Sequence, residues 1–288
     1  MNKKSMGVIN ITPNSFVDSS KVSDRDLFAN RFETVSNWAD IIDIGAESTA
    51  PFNDPISADE EFSRFEKVLF PYLINNPDPS KVISIDTYKV DVFNKVGSVI
   101  NKHWPDSKII FNDISGKIDD ELLEFFKSSS FPFQYIFSHN GCSTRSQSNE
   151  HMNYIDSSND LKFLRHLGEY FLNGISKLRN ANVKYYVDPC FGFSKTREQN
   201  HFLLKHFNKL LLQIPQDIGC VYGISRKSFL RFPKELDAND PENIKILDQM
   251  QSYFIATIRK DFPNREVVFR VHTPDVIKSS SNILEILN

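Results

Sequence analysis

The sequence lacks the features that mark several specialised classes of protein. It has only three cysteines, Cys142, Cys190 and Cys220, an odd number without the spacing of metal ligands. Neither a disulfide framework nor a zinc site is implied, and a reducing cytoplasm is the expected compartment. Lysine and arginine, 34 in all, do not exceed the 37 acidic residues, and the net charge is −3. Without a basic excess, no nucleic-acid partner is expected.

Long apolar runs are also lacking. No segment approaches the ~20 apolar residues that span a bilayer, so no membrane association is expected. The apolar stretch near the N-terminus already ends at Asn10 and Thr12, too early for the apolar segment of a secretory signal. What remains is an ordinary globular composition, 40% hydrophobic and 25% charged, in a chain of 288 residues. This length suits one α/β barrel domain.

Short β-rich apolar runs alternate with stretches of helical spacing along the whole chain. The eight predicted strands are Ser5–Asn10, Asp40–Gly45, Val82–Asp86, Lys108–Asn112, Gln134–Ser138, Val183–Asp188, Ile218–Ile224 and Val267–Val271. The eight predicted helices cover residues 23–38, 58–75, 88–102, 118–128, 158–180, 196–212, 241–261 and 273–287. Strict alternation indicates a parallel sheet with helical crossovers. Eight units favour an α/β fold of the (β/α)8 TIM barrel type, a single domain over residues 1–288, with an open doubly wound sheet as the alternative.

Two helix starts are readable in the sequence. Ser57, followed three residues later by Glu60, predicts a capping box at the start of the second helix. Thr273 and Pro274 predict the cap and the first position of the last helix.

Polar side chains close nearly every predicted strand, where a barrel of this kind carries its chemistry. They are Asn10, Glu47 with Ser48 and Thr49, Asp86, Asn112 with Asp113, His139, Asp188, Ser225 with Arg226 and Lys227, and Arg270 with His272. A single Asp, Asn or Ser at a strand end indicates little, because these residues commonly bond turn backbone. The whole set combines flat hydrogen-bond acceptors with cations. It therefore predicts a ligand with a heterocyclic end rich in N–H donors and an anionic end.

Seven motifs, in order along almost the whole chain, resemble those of dihydropteroate synthases of the pterin-binding barrel superfamily. They are MGVINITPNSF (6–16), DIGAEST (43–49), ISIDT (83–87), NDISG (112–116), DPCFGFSK (188–195), GISRKS (223–228) and RVH (270–272). The resemblance implies a transferase of folate biosynthesis that condenses 6-hydroxymethyl-7,8-dihydropterin pyrophosphate with p-aminobenzoate, releasing pyrophosphate and giving 7,8-dihydropteroate. It also implies a homodimer.

The resemblance implies roles for individual residues, position by position. The implied catalytic residues are Asp86, Lys227, Arg270 and His272, and all four also bind substrate. Further substrate-binding residues would be Thr49 on a phosphate oxygen, Asn112, Asp188 and Phe193 at the pterin, Ser228 near p-aminobenzoate, and His139 at the end of strand five. Asn10 would help to hold Mg²⁺ on the pyrophosphate.

The second loop departs from the pattern of the family, which has Ser-Thr-Arg-Pro-Gly where this chain has Ala50 and then Phe52. Losing one phosphate-binding arginine removes a bond worth ~1.5–3 kcal/mol, a ten- to hundredfold effect. Candidates to compensate are Arg145, Lys195 and a protonated His139.

Because of this departure, two alternatives to an active synthase stay open. One is a paralogue that binds pterin without turnover. The other is a pterin-dependent methyltransferase barrel, which the Arg270 and His272 pair fits less well.

Overall fold

The structure, a computed structural model, describes residues 3–12, 24–48, 54–148, 154–155, 159–181, 183–231, 237 and 240–287. Eight parallel strands follow one another around a closed barrel in chain order. The strands are β1 (Lys3–Asn10), β2 (Ile41–Gly45), β3 (Val82–Asp86), β4 (Lys108–Asp113), β5 (Phe133–Ser138), β6 (Lys184–Asp188), β7 (Gly219–Tyr222) and β8 (Val267–Val271). The prediction of a (β/α)8 barrel is confirmed, and the alternative prediction of an open doubly wound sheet is wrong.

Helices connect the successive strands. They are α1 (Asp24–Ser36), α2 (Ala58–Asn75), α3 (Val90–His103), α4 (Asp120–Ser128), α5 (Asp160–Leu178), α6 (Arg197–Lys205), α7 (Phe207–Leu211), α8 (Pro241–Asp261) and α9 (Pro274–Leu287). Two short 3₁₀ segments, Arg145–Gln147 and Ser228–Arg231, lie in the loops after β5 and β7. Within the part of the chain that the structure describes, no helix has the length and apolar character needed to cross a bilayer.

The predicted sixth helix, 196–212, is two helices in the structure. His206 leaves the helical conformation, with φ −120° and ψ 22°, and its N–H is shared between the carbonyls of Phe202 and Leu203. The apolar spacing continues through this position, so the sequence did not reveal the break. The seventh strand is also shorter than predicted, because it begins at Gly219 and ends at Tyr222; Arg226, in the loop that follows, is left-handed (φ 55°).

The last helix, α9, begins at Pro274 as predicted, and the start of α2 agrees with the sequence in part. Ser57 caps α2 by accepting the N–H of Glu60 at 3.1 Å. The Glu60 carboxylate does not close the predicted capping box; it accepts from Arg64 at 2.6 Å. A complete capping box lies instead at α6, between Thr196 and Gln199.

A plug of apolar side chains fills the barrel below its carboxyl-terminal mouth. The plug holds one residue from each strand: Met6, Ile41, Val82, Ile110, Ile136, Tyr186, Val221 and Val268. Such layers make the interior of a TIM barrel a packed core rather than a pore. A larger apolar core lies between the strands and the surrounding helices. The plug therefore forms the floor beneath the carboxyl-terminal mouth of the barrel.

The strand register brings the predicted site residues to one level. Asn10 pairs with Gly45, Gly45 with Asp86, and Asp86 with Asn112, across four neighbouring strands. On the far side, Ser138 pairs with Asp188. Because side chains alternate along a strand, residues at one level and of equal parity face the same side of the sheet.

Candidate active site

A cavity of about 420 Å³ opens at the carboxyl ends of the strands. Its volume lies within the ~300–1,000 Å³ range of small-molecule sites. The predicted residues that line it are Asn10, Asp86, Asn112, Asp188, Phe193, Lys227, Ser228, Arg270 and His272. The strand-end side chains of the sequence thus meet around one space, on the face where TIM barrels carry their active sites.

Arg270 is the centre of a charged network on the floor of this cavity. Its Nε donates to Asp43 at 2.7 Å and its Nη2 donates to Asp86 at 2.8 Å. Asn112 joins the network through its Nδ2, 3.2 Å from the same Asp43 carboxylate. Two carboxylates on one guanidinium hold that planar group in a single orientation, because each accepts along a fixed N–H direction.

Asp43 was not among the residues predicted for the site. It is fully buried in the middle of β2 and carries the only charge in the otherwise apolar strand Ile41–Gly45. The sequence did indicate a role for Asp43, because a charged residue inside a buried strand needs a partner. The partner itself lies 227 residues away in sequence and could not be identified from it.

Burial shifts the ionisation of the carboxylates that line the cavity. Desolvation raises the pKa of Asp86 to about 7, Arg270 opposes the rise, and the neighbouring Asp43 charge adds to it. Desolvation also raises the pKa of Asp188. The pKa of Lys227 is lowered by the same burial. The cavity therefore holds carboxylates that accept protons, or N–H donors, more readily than exposed ones do.

His272, predicted as a catalytic and substrate-binding residue, lies where its cationic form is disfavoured. Desolvation, followed by the charges of Arg270, Arg226, Arg31 and Lys227, lowers the pKa of His272 to about 3. Its Nδ1 lies 2.7 Å from the Ser225 hydroxyl. The imidazole can thus bind an anion through an N–H donor but not, before the anion arrives, as a cation.

The loop after β6 is held in a strained conformation beside the cavity. Cys190 (φ 48°) and Ser194 (φ 52°) occupy the left-handed region, which costs of order 1–3 kcal/mol per residue for side chains other than glycine. Asp188 Oδ1 accepts the N–H of Cys190 at 2.7 Å. Lys195 Nζ donates to the carbonyls of Cys190 and Phe193 at 3.2 and 2.8 Å. These bonds compensate the strain and position Asp188 and Phe193.

Phe193 lies under Lys227, whose ammonium is 4.9 Å from the ring centroid. A cation over an aromatic face is a stabilising arrangement and leaves the ammonium directed toward the cavity. The Cys190 thiol lines the same region, and burial raises its pKa to about 12. It stays protonated, so Cys190 is a packing residue rather than a nucleophile.

His139 and the other two candidates to compensate for the missing arginine lie outside the cavity. His139 is buried against Tyr170, with ring centroids 4.6 Å apart, and desolvation lowers its pKa well below the usual value. The prediction that a protonated His139 compensates for the missing arginine is therefore wrong. Lys195 lies below the strained loop, where its ammonium already donates to two backbone carbonyls and is 3.0 Å from His139 Nδ1. Arg145 is buried behind β4, where it donates to Asp113 at 2.7 Å.

The rim after β2 is held by Lys89. Its ammonium donates to Glu47 and, at 2.7 Å, to Glu61, and Tyr88 donates to Glu47 at 3.2 Å.

Thr49, predicted to bind phosphate, lies outside the described residues, and so do Ala50 and Phe52.

A second hollow, of about 550 Å³, lies at the opposite end of the barrel, between residues 211–216 and 261–265. Arg265 there donates to four backbone carbonyls, those of Leu211, Ile214, Pro215 and Ile218. Its guanidinium holds the carbonyls of residues 211–218 in place, and we assign Arg265 a structural role.

Comparison with known proteins relates this cavity to one family. The family model described as Pterin binding enzyme matches residues 6–259. Dihydropteroate synthase of Clostridium beijerinckii is 31% identical over 233 residues, which cover 78% of this chain and 75% of the relative. Folic acid synthesis protein fol1 of Schizosaccharomyces pombe is 29% identical over 230 residues, again 78% of this chain. This chain spans only 29% of the fol1 protein and 40–46% of two bifunctional folate synthesis proteins of Arabidopsis thaliana.

Solved structures share the fold. Dihydropteroate synthase of Anaplasma phagocytophilum, with bound 6-hydroxymethylpterin-monophosphate, superposes with a TM-score of 0.73 at 23% identity over all of both chains. Dihydropteroate synthase of Xanthomonas albilineans, with 4-aminobenzoic acid, gives 0.72 at 19% identity over 99% of this chain and 92% of the other.

Proposed function

This chain belongs to the pterin binding enzyme family, and we propose that it acts as a dihydropteroate synthase. It would join 6-hydroxymethyl-7,8-dihydropterin pyrophosphate to p-aminobenzoate, giving 7,8-dihydropteroate and pyrophosphate. The observation that carries the proposal is that the groups lining one cavity divide into two kinds, acceptors and cations, of which Asp86 and Arg270 are paired with each other. Asp86, Asn112 and Asp188 supply acceptors, while Lys227 and Arg270 supply cations.

The division matches the two ends of the pterin substrate. A pterin ring presents amino and ring N–H donors along one edge, and buried carboxylates of raised pKa bind such donors well. Asp188 and Asn112 would take this edge. Pyrophosphate is a dense anion, and Arg270 and the N–H of His272 are suited to its oxygens.

The same arrangement favours the transition state. The acceptor amine forms a C–N bond with the pterin methylene as the C–O bond to pyrophosphate breaks. The leaving group takes the bonding electrons, and the amine loses a proton. Positive charge then grows on the ring, near Asp188, and negative charge on the phosphates, near Arg270. Preorganised groups at both ends lower the barrier, and removing one typically costs about 3–4 kcal/mol.

Mg²⁺ is part of the proposal, and Asn10 is its protein ligand. In the described residues no group of three His, Cys, Asp or Glu side chains could hold a metal by itself. This agrees with Mg²⁺, which commonly keeps several waters and binds mainly through substrate phosphates. Asn10 lines the cavity and offers one neutral oxygen. When bound, the ion would neutralise charge on the leaving pyrophosphate.

We also propose that the protein is a cytoplasmic homodimer. Tyr253 on α8 and Ile286 on α9 are 50% and 85% exposed, on two helices that pack against each other. Exposed apolar side chains on adjacent helices suit a self-complementary interface. Sedimentation of the wild type and of Tyr253→Glu tests it: a dimer that the substitution dissociates supports the interface, and a monomeric wild type contradicts it.

The test of activity is pyrophosphate release by the purified protein with both substrates and Mg²⁺. We expect turnover that requires all three and that falls at least a hundredfold in Asp188→Ala and Lys227→Ala, on the order of the loss of one preorganised group. Arg197→Ala, an exposed substitution on α6, serves as the control. Pterin binding without pyrophosphate release would instead support the binding paralogue.

The missing loop arginine is tested by complementation. A strain without a synthase should grow when it carries the wild-type chain, and at least as well with Ala50→Arg. Growth that depends on Ala50→Arg would mean that the natural chain has lost effective turnover.

A further inference from the structure

Arg231 occupies a position at the cavity from which it can bind the second substrate. It ends the 3₁₀ segment Ser228–Arg231, and both end residues line the cavity. In a 3₁₀ helix, side chains three residues apart lie above one another on one face. The hydroxyl of Ser228 and the guanidinium of Arg231 therefore face the ligand together.

The core holds this 3₁₀ segment in place. Phe229 and Leu230, between the two cavity residues, are buried, and Phe229 stacks on Phe191 with centroids 6.0 Å apart. His201 Nε2 lies 2.7 Å from the Phe229 carbonyl. Since the apolar side of the segment is fixed, its polar side is presented to the cavity in a defined orientation.

Arg231 also differs in charge balance from the other cations that line the cavity. Arg270 binds two carboxylates, and Arg226 lies 3.4 Å from Asp248. Lys227 lies over Phe193 and acts electrostatically on Asp188. For Arg231, the described part of the chain supplies neither an ion pair nor a hydrogen bond to the side chain. Among the described residues, then, Arg231 is the cavity cation that has no acidic or aromatic partner.

We propose that Arg231, together with Ser228, binds the carboxylate of the aryl-amine acceptor and makes the enzyme selective for a charged acceptor. This inference rests on the proposed function. A guanidinium matches a carboxylate with two parallel N–H donors, and a hydroxyl adds a third. The acceptor amine must reach the pterin methylene inside the cavity, so its carboxylate, at the opposite end of the ring, points toward the mouth where the 3₁₀ segment lies.

Two acceptors that differ only in charge test the proposal. The wild type, Arg231→Ala and Arg231→Lys are compared with p-aminobenzoate and with its neutral amide, p-aminobenzamide, and Arg197→Ala is the surface control. In Arg231→Ala, the KM for p-aminobenzoate should rise about tenfold, the usual effect of one charge-assisted hydrogen bond. The KM for p-aminobenzamide, the KM for the pterin substrate and kcat should stay the same. Arg231→Lys should restore part of the selectivity.

Other results would overturn the proposal. An equal loss with both acceptors would mean that Arg231 only supports the loop, and a rise in the KM for the pterin pyrophosphate alone would mean that it binds phosphate. If the wild type releases no pyrophosphate, the proposed function fails. Arg231 is then tested by calorimetry, with p-aminobenzoate and p-aminobenzamide added to the protein in the presence of pterin, pyrophosphate and Mg²⁺. There, equal binding of p-aminobenzoate by the wild type and Arg231→Ala would refute its role.

Discussion

Substitution of Asp43 by asparagine should change both the rate of the enzyme and its dependence on pH. Asp43 Oδ2 accepts from Arg270 Nε at 2.7 Å and is completely buried. Asparagine preserves the shape but removes the charge. A hydrogen bond to a charged group is worth about 1.5–3 kcal/mol. Because Arg270 keeps its bond to Asp86, we expect a loss near the lower end, about a tenfold fall in kcat/KM.

The pH dependence follows from Asp86. Its pKa is about 7, raised first by burial and further by the Asp43 charge. The ionised carboxylate binds the Arg270 guanidinium more strongly than the protonated acid does, so activity should fall as the pH decreases through about 7. Removing the Asp43 charge lowers the pKa of Asp86. The acidic limb of the kcat/KM profile should therefore move to lower pH in Asp43→Asn.

Initial rates of pyrophosphate release, measured from acidic to mildly alkaline pH, provide the assay. Asp113→Asn is a matched control, because Asp113 is also fully buried at a barrel strand but pairs with Arg145 on the other side of the barrel wall. It should destabilise the fold without moving the limb. An Asp43→Asn profile that coincides with that of the wild type, or an equal shift in Asp113→Asn, would refute the reasoning.

Three further substitutions test the fold. Arg145→Met strands the buried Asp113 charge and should lower the free energy of unfolding by about 3–5 kcal/mol in chemical denaturation; a loss below 1 kcal/mol would contradict the pairing. Gly97→Ala places a methyl group 2.4 Å from the Phe131 ring, so a cost of about 1–3 kcal/mol is expected, and an unchanged midpoint would show that the ring can move. Burial lowers the pKa of Lys195 from 10.5 to about 7, so the unfolded state binds more protons and stability should rise with pH between these values. Melting temperatures measured across this range should lose that rise in Lys195→Met, and a rise that persists would mean that another group causes it.

The barrel was predictable because its strands are buried on both faces. Such strands read as nearly continuous apolar runs, and the stretches between them keep a helical period. Boundaries were less predictable. The break at His206 leaves the apolar spacing intact, and β7 ends at Tyr222 although the apolar run continues to Ile224.

The site was predictable at the level of strand ends but not of side-chain direction. His139 follows Ser138, and a shift of one residue turns a side chain to the other face of the sheet. Since Ile136 belongs to the plug inside the barrel, Ser138 faces inward and His139 faces α5. The rule that polar strand ends line the cavity thus failed for His139. The same alternation, applied to Asp43, would have placed it inside.

Most of the charged groups that line the cavity share one property: they are already paired within the protein. Arg270 is held by two carboxylates, and the pKa of the His272 imidazole is lowered by burial and then by the cations around it. In the proposed reaction, a pyrophosphate bound here would lie among cations whose mutual repulsion it would relieve, while Asp86 would become free to accept from the pterin. Substrate binding therefore exchanges one set of charge partners for another instead of burying new charge. The desolvation cost is met largely during folding, which is the physical meaning of a preorganised site.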